Sequence, residues 1–132
     1  MPQGIVPERY HDILASKALG HLATIGADGR PQVNPVWFIA DDGHVYLSVK
    51  ADTVKYRNLR ANPRVAMSIS DPNDPGRYVE IRGDVVDLEL FDTLDWVNEL
   101  ARKYTGAVFT GGADGEHRYK VVIRIDAWTG QG

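Results

Sequence analysis

Cysteine is absent from this chain of 132 residues. Its absence excludes disulfides, thiolate metal sites and cysteine nucleophiles together. Long apolar runs are missing as well: none approaches the roughly 20 residues that a membrane-spanning helix needs, so no membrane span is expected. The opening stretch MPQGIVPERY has no basic segment followed by an apolar one. No secretory signal is therefore expected, and a cytoplasmic location is the expectation that follows. Positive charge is in the minority, with 15 Lys and Arg against 18 Asp and Glu and a formal net charge of −3. That balance argues against bulk nucleic-acid binding, which is normally carried by a basic domain.

Signatures of protein-borne catalysis are also missing. The chain contains no GxSxG, no HExxH and no Walker sequence. The histidines, His11, His21, His44 and His117, form no close pair at ligand spacing, so no metal site is expected. Asp41-Asp42 and Asp71 with Asp74 fall in turn-like sequence, where aspartate bonds its own backbone. Asp84 and Asp87 lie along a strand pattern. Asp92, Asp95 and Glu99 read as the solvent face of a helix. None of these carboxylates stands out as an acid-base pair.

What is present is a globular composition, 43% hydrophobic and 25% charged, on the scale of one domain covering residues 1–132. Residues 7–20 read as a helix opened by Pro7 and stopped by Gly20, with Ile13, Leu14, Ala18 and Leu19 on one face. Residues 21–49 read as a β-meander: HLATI, a hairpin turn at Asp28-Gly29, the strand PQVNPVWFIA, the turn DDGH, and VYLSV. Asp52 is the expected cap of a short helix ending before Pro63. RVAMSIS is a strand, DPNDPGR a loop, and YVEIRGDVVDLE a long strand in which Gly83 marks a bulge or bend. Residues 90–106 read as a helix with Leu90, Leu94, Val97 and Leu100 on one face and Gly106 as its stop. AVFTGGADGEH is a glycine-rich loop, and RYKVVIRIDAWTG closes the chain as a strand. About six mostly antiparallel strands with two or three helices point to a small α+β, mainly β, barrel.

Two stretches remain as candidates for function. Residues 48–65, SVKADTVKYRNLRANPRV, gather Lys50, Lys55, Arg57, Arg60 and Arg64 against the single acid Asp52. They follow a strand and run into a helix start, where unpaired N–H groups and a partial positive charge favour anions. Donors converging from several backbone positions suit a phosphate; a solvated helix face is the plain alternative. The strand PQVNPVWF carries two prolines and two large aromatics together. Proline belongs at a sheet edge, so backbone near Pro35 is open to a flat heterocycle, or else Trp37 and Phe38 are simply core and surface aromatics.

HLATIGADGRPQVNPVWF followed by LSVKADTVKYRNLRANPRVAMSI, with YVEIRG later, resembles the pyridoxamine 5'-phosphate oxidase-like split β-barrel superfamily. More narrowly it resembles the actinobacterial flavin/deazaflavin oxidoreductases, the PPOX-class F420-dependent enzymes. The resemblance runs from about residue 8 to residue 127. It implies a homodimer of FMN-binding-like split barrels with cofactor sites at the subunit interface. It implies that the ring of coenzyme F420, a deazaflavin, lies against Gln32, Val33, Asn34, Pro35 and Val36. The phosphate end would meet Ser48, Val49, Lys50, Lys55, Arg57 and Asn58, and Arg77 and Tyr78 would close the site from the partner. Thr53 departs from relatives that carry a basic residue there. Arg60 and Arg64 could meet the acidic tail of F420.

The resemblance further implies an oxidoreductase in which hydride chemistry resides in the cofactor. A small unsaturated or quinone-like substrate would be reduced, with Tyr78 as the candidate proton relay. FMN in the same fold, or a non-catalytic protein that binds F420, FMN or haem, are the alternatives. Oxidation of vitamin B6 is not expected, because the chain lacks the C-terminal segment that those oxidases use for their substrate.

Overall fold

A computed structural model of the protein describes residues 4–91, 93–108 and 118–132. The glycine-rich segment is expected at 107–117; its residues 109–117, with His117, lie outside the described residues, as does Asp92.

The chain begins with a short 3-10 turn, Glu8–Tyr10, and the helix α1, His11–Ala15. The helix expected over 7–20 stops at Ala15 because Ser16 ends it. The Ser16 hydroxyl donates to the Ile13 carbonyl at 2.7 Å and accepts from the Ala18 N–H at 3.2 Å. A serine side chain that competes for backbone groups favours helix ends over helix interiors. Gly20 is not a helix stop; it opens strand β1, Gly20–Ile25, where a Cβ would run into the Met67 side chain. Leu19 is left exposed.

The hairpin at Asp28-Gly29 forms as its sequence suggests. Gly29 has φ +82°, a conformation that costs glycine little, and the Arg30 N–H is held by Asp28 Oδ1 at 3.0 Å. Beyond it the strand expected over 31–40 is two strands, β2, Pro31–Val36, and β3, Ile39–Ala40. Then follow β4, His44–Lys50, the helix α2, Val54–Ala61, and β5, Arg64–Asp71. Strand β6, Asp74–Phe91, is longer than its sequence suggests at both ends. It absorbs part of the expected 71–77 loop and also Leu90, which pairs with Tyr119 in the ladder rather than lying on a helix face. The helix α3 is correspondingly shorter, Asp95–Thr105, and ends at Gly106 with φ +75°. Strand β7, Arg118–Gln131, closes the chain.

The seven strands of the described residues all pair antiparallel, in the order β2-β1-β5-β6-β7-β4-β3. The order explains the architecture. β2 and β3 stand at opposite ends of the sheet, yet only Trp37 and Phe38 separate them. Three peptide steps span at most about 11 Å, so the sheet must curl until its two ends nearly meet. The result is a split barrel: β2 and β3 do not pair, and residues 37–38 form a seam between them. Edge position also explains how β2 tolerates Pro31 and Pro35, since one side of its backbone serves no ladder. Gly83 sits at a register shift in β6, where a Cβ would collide with the Arg124 carbonyl, so the glycine there permits close backbone approach.

The core fills the inside of the curl. Alternate residues point inward, for example Val45, Leu47 and Val49 on β4 and Val121, Ile123 and Ile125 on β7, all buried. Each such side chain contributes about 1.5–3 kcal/mol when fully buried. Leu59 of α2 plugs one side, and Val6, Tyr10, Ile13 and Leu14 another. The buried face of α3, Trp96, Val97, Leu100 and Ala101, lies outside this cluster. Trp96 donates from Nε1 to the Leu47 carbonyl at 3.1 Å, so α3 is seated beside β4 and the seam. No helix among the described residues is long and apolar enough to cross a membrane.

Candidate functional site

The seam, β4 and the start of α2 and β7 converge on a pocket of about 210 Å³. Pro35, Val36 and Trp37 supply one wall, Val97 and Leu100 of α3 another, and Ser48, Lys55 and Arg118 the polar groups. Four residues expected from the sequence, Pro35, Val36, Ser48 and Lys55, are thus brought together although they span two strands and a helix.

Local sequence explains why Lys55 is there. Thr53, not Asp52, caps α2: its Oγ1 accepts the Tyr56 N–H at 3.1 Å and donates to the Lys50 carbonyl at 2.9 Å. Asp52 contributes only its carbonyl, to Arg57 Nη1 at 3.3 Å. A β-branched hydroxyl in extended backbone at this position is a good N-cap, and it leaves Lys55 in the first turn. Deeper in the helix, Asn58 is buried and donates to Thr24 Oγ1 at 3.1 Å, which fastens α2 to β1.

The electrostatics suit an anion. Burial pushes the Lys55 ammonium below the ordinary lysine range, and among the described residues no carboxylate offsets that penalty. A desolvated cation without a counter-charge is costly, and a bound anion relieves the cost. The Ser48 hydroxyl oxygen is buried with no hydrogen-bond partner, as is Gln32 Oε1 on β2. Buried polar atoms are nearly always satisfied, so an orphaned hydroxyl lining a pocket beside a lone ammonium fits a phosphate-bearing ligand. Among the described residues no cluster of three or more His, Asp or Glu could hold a metal ion.

The other expected site residues lie elsewhere in the chain. Val33 is exposed on the outer face of β2, while Asn34 is half-buried and opposite Leu22. Val49 points into the core. Lys50 and Arg57 are exposed at the end of β4 and on α2. Arg77 is engaged within its own chain: its Nη1 and Nη2 meet Asp12 at 2.8 and 3.0 Å, Nη1 meets Asp71 at 2.9 Å, and Nη2 also donates to the Arg9 carbonyl. Those carboxylates raise the Arg77 pKa further above its already high value. Tyr78 is half-buried on β6, between Ser70 and Gln131 in the ladder.

Arg118, Val97 and Leu100 are pocket residues without a local sequence signal. They reach the site only because β7 pairs with β4, Arg118 opposite Lys50, and because α3 packs beside the seam. A larger open cleft of about 530 Å³ lies between Leu59, Arg60, Val86 and Tyr119. Its cation, Arg60, already donates to the Tyr56 hydroxyl at 2.8 Å, and Asp87 also lines it. The smaller pocket therefore holds the unsatisfied polar chemistry.

A family model described as pyridoxamine 5'-phosphate oxidase matches residues 6–131. A solved F420 reductase is 40% identical, with 94% of this chain and 98% of that chain covered and a TM-score of 0.88. A conserved hypothetical protein from Mycobacterium tuberculosis is 27% identical over 96% of this chain and 85% of that chain, with a TM-score of 0.70. A FAD-binding protein from Mesorhizobium loti, 24% identical, shares the fold over 98% of this chain and 97% of that chain with a TM-score of 0.66.

Proposed function

This chain belongs to the pyridoxamine 5'-phosphate oxidase family, and from that premise we propose that it is an F420-dependent oxidoreductase reducing a small unsaturated or quinone-like substrate. The observation that carries the reading is the pairing of a lone, partly desolvated Lys55 with the orphaned Ser48 hydroxyl in one pocket. The likeness to an F420 reductase over nearly the whole of both chains supports the choice of cofactor.

In this reading Lys55, Ser48 and Arg118 hold the phosphate end, and the Pro35–Trp37 stretch flanks the ring. When bound and reduced, F420 supplies the hydride. The chain's own residues bind, orient and exclude water, which is the protein's share in cofactor chemistry. Val36, Val97 and Leu100 make the pocket wall apolar, so polar groups facing it act in a lower dielectric than water.

A second copy of the chain completes the site. The pocket's 210 Å³ falls below the roughly 300–1,000 Å³ of pockets that bury a ligand of drug size. Of the two positions expected to reach across, Arg77 keeps its guanidinium on Asp12 and Asp71. That leaves Tyr78 as the group to deliver a proton.

The phosphate chemistry of Lys55 and Ser48 also suits FMN, so the test is a parallel fluorescence titration with F420 and FMN, followed by turnover of reduced F420 with quinones and unsaturated lactones. Saturable F420 binding and substrate-dependent oxidation support the reading. Preferential FMN binding replaces the cofactor, and binding without turnover makes the protein a cofactor carrier.

A further inference from the structure

The barrel's split is closed by side chains of α3, and these same side chains hold a wall of the candidate site. The Phe38 backbone, inside the seam, has no strand partner. Its N–H donates to the Tyr104 hydroxyl at 3.3 Å and its carbonyl accepts from Lys103 Nζ at 2.8 Å. Each α3 residue then reaches a second segment. Tyr104 donates from its hydroxyl to the Ala18 carbonyl at 2.9 Å, and Lys103 donates to the Leu14 carbonyl at 3.0 Å. Lys103 Nζ also sits 3.9 Å from the centre of the Phe38 ring. One turn of α3 thus pins the end of α1, the segment before β1 and the seam.

The neighbouring seam residue is Trp37, a lining residue of the pocket. Its ring stacks on Tyr104 with centroids 5.3 Å apart and planes 4° from parallel. Elsewhere in the barrel a strand's position is set by ladders on both sides. At the seam no ladder exists among the described residues, and the Tyr104 ring is one of the contacts that place Trp37.

We propose that Tyr104 is a positioning residue for the cofactor site, fixing the Trp37 wall through its ring stack while its hydroxyl and Lys103 lock the seam backbone. The cofactor's affinity is therefore governed partly from a helix that contributes only apolar contacts of its own. This rests on the function proposed above, because it takes the pocket of Trp37, Ser48 and Lys55 as the cofactor site.

The test is F420 titration of wild type, Tyr104→Phe and Tyr104→Leu, with folding checked by far-UV circular dichroism and the tryptophan environment by the near-UV spectrum. Loss of the ring stack in Tyr104→Leu is expected to weaken F420 binding by about tenfold and to diminish the near-UV tryptophan band. Tyr104→Phe keeps the stack and is expected to retain the band while losing about threefold in affinity through a loosened seam. A role confined to stability would lower the melting temperature of both variants and leave affinity unchanged in the folded protein, which overturns the proposal. If Tyr104→Leu does not fold, Tyr104→Phe decides: wild-type affinity in that folded variant overturns it. If wild type binds F420 and both folded variants match it, only this inference falls. If wild type binds neither F420 nor FMN, the proposed function falls, and this inference with it.

Discussion

Asn58 of α2 donates its side-chain amide to the Thr24 hydroxyl of β1 at 3.1 Å, and both residues are buried. This contact fixes the helix that carries Lys55 against the barrel. Asn58→Ala leaves the Thr24 hydroxyl buried without that donor, and is expected to cost about 1–3 kcal/mol of stability in urea unfolding. Thr24→Ala with Asn58→Ala should cost less than the sum of the single changes, because the two side chains share one bond.

The cap of α2 gives a sharper contrast. Thr53→Ala is expected to lose about 1 kcal/mol, since the Tyr56 N–H loses its acceptor. Asp52→Ala should stay within about 0.5 kcal/mol of wild type, because only its backbone carbonyl is used. Equal losses in thermal or urea unfolding would contradict the assignment of Thr53 as the cap.

Two glycines separate soft from hard packing. A Cβ at Gly20 meets the flexible end of Met67, whereas one at Gly83 meets the backbone carbonyl of Arg124. Gly20→Ala is expected to cost about 1 kcal/mol and Gly83→Ala about 3 kcal/mol. Comparable unfolding midpoints for the two variants would contradict this.

Lys103 carries a pH dependence. Burial pushes its pKa down to about 8 from the ordinary 10.5. A lysine whose pKa is lower in the folded state is bound to fewer protons there than in the unfolded chain between those two values. Its contribution to stability therefore rises as pH climbs from about 8 toward 10.5. The neutral amine keeps two N–H donors, enough for the Leu14 and Phe38 carbonyls. The stability difference between wild type and Lys103→Met should grow over that interval; a flat or falling difference contradicts it.

Much of the fold was legible because alternation and turn chemistry are local. Val121, Ile123 and Ile125 alternate in sequence and all point into the core, and Asp28-Gly29 makes the hairpin it announces. Helix limits were less legible. Leu90 fits a helical spacing with Leu94, Val97 and Leu100, but pairing with β7 outweighs that local pattern and keeps it in β6. Ser16 cuts α1 short by the opposite route, a local side-chain bond that apolar spacing does not show. The candidate site was half legible. Lys55 and Ser48 lie in a basic segment at a strand-to-helix junction, which has a physical signature. Arg118, Val97 and Leu100 have none, because only the sheet order and the seat of α3 bring them near. Arg57 shares the charge signature of Lys55 yet points to solvent, since charge in a sequence does not reveal which face of a helix will be covered.

The most direct test of the anion site is equilibrium titration of F420 into wild type, Lys55→Ala and Arg57→Ala across a pH series. Lys55→Ala is expected to weaken binding by about 10- to 100-fold, the size of a charge-assisted bond of about 1.5–3 kcal/mol, with Arg57→Ala near wild type. Wild-type affinity should fall as pH rises, beginning below the ordinary lysine value because the Lys55 pKa is lowered, and Lys55→Ala should lack that fall. Tight F420 binding that survives Lys55→Ala unchanged at every pH would contradict the account.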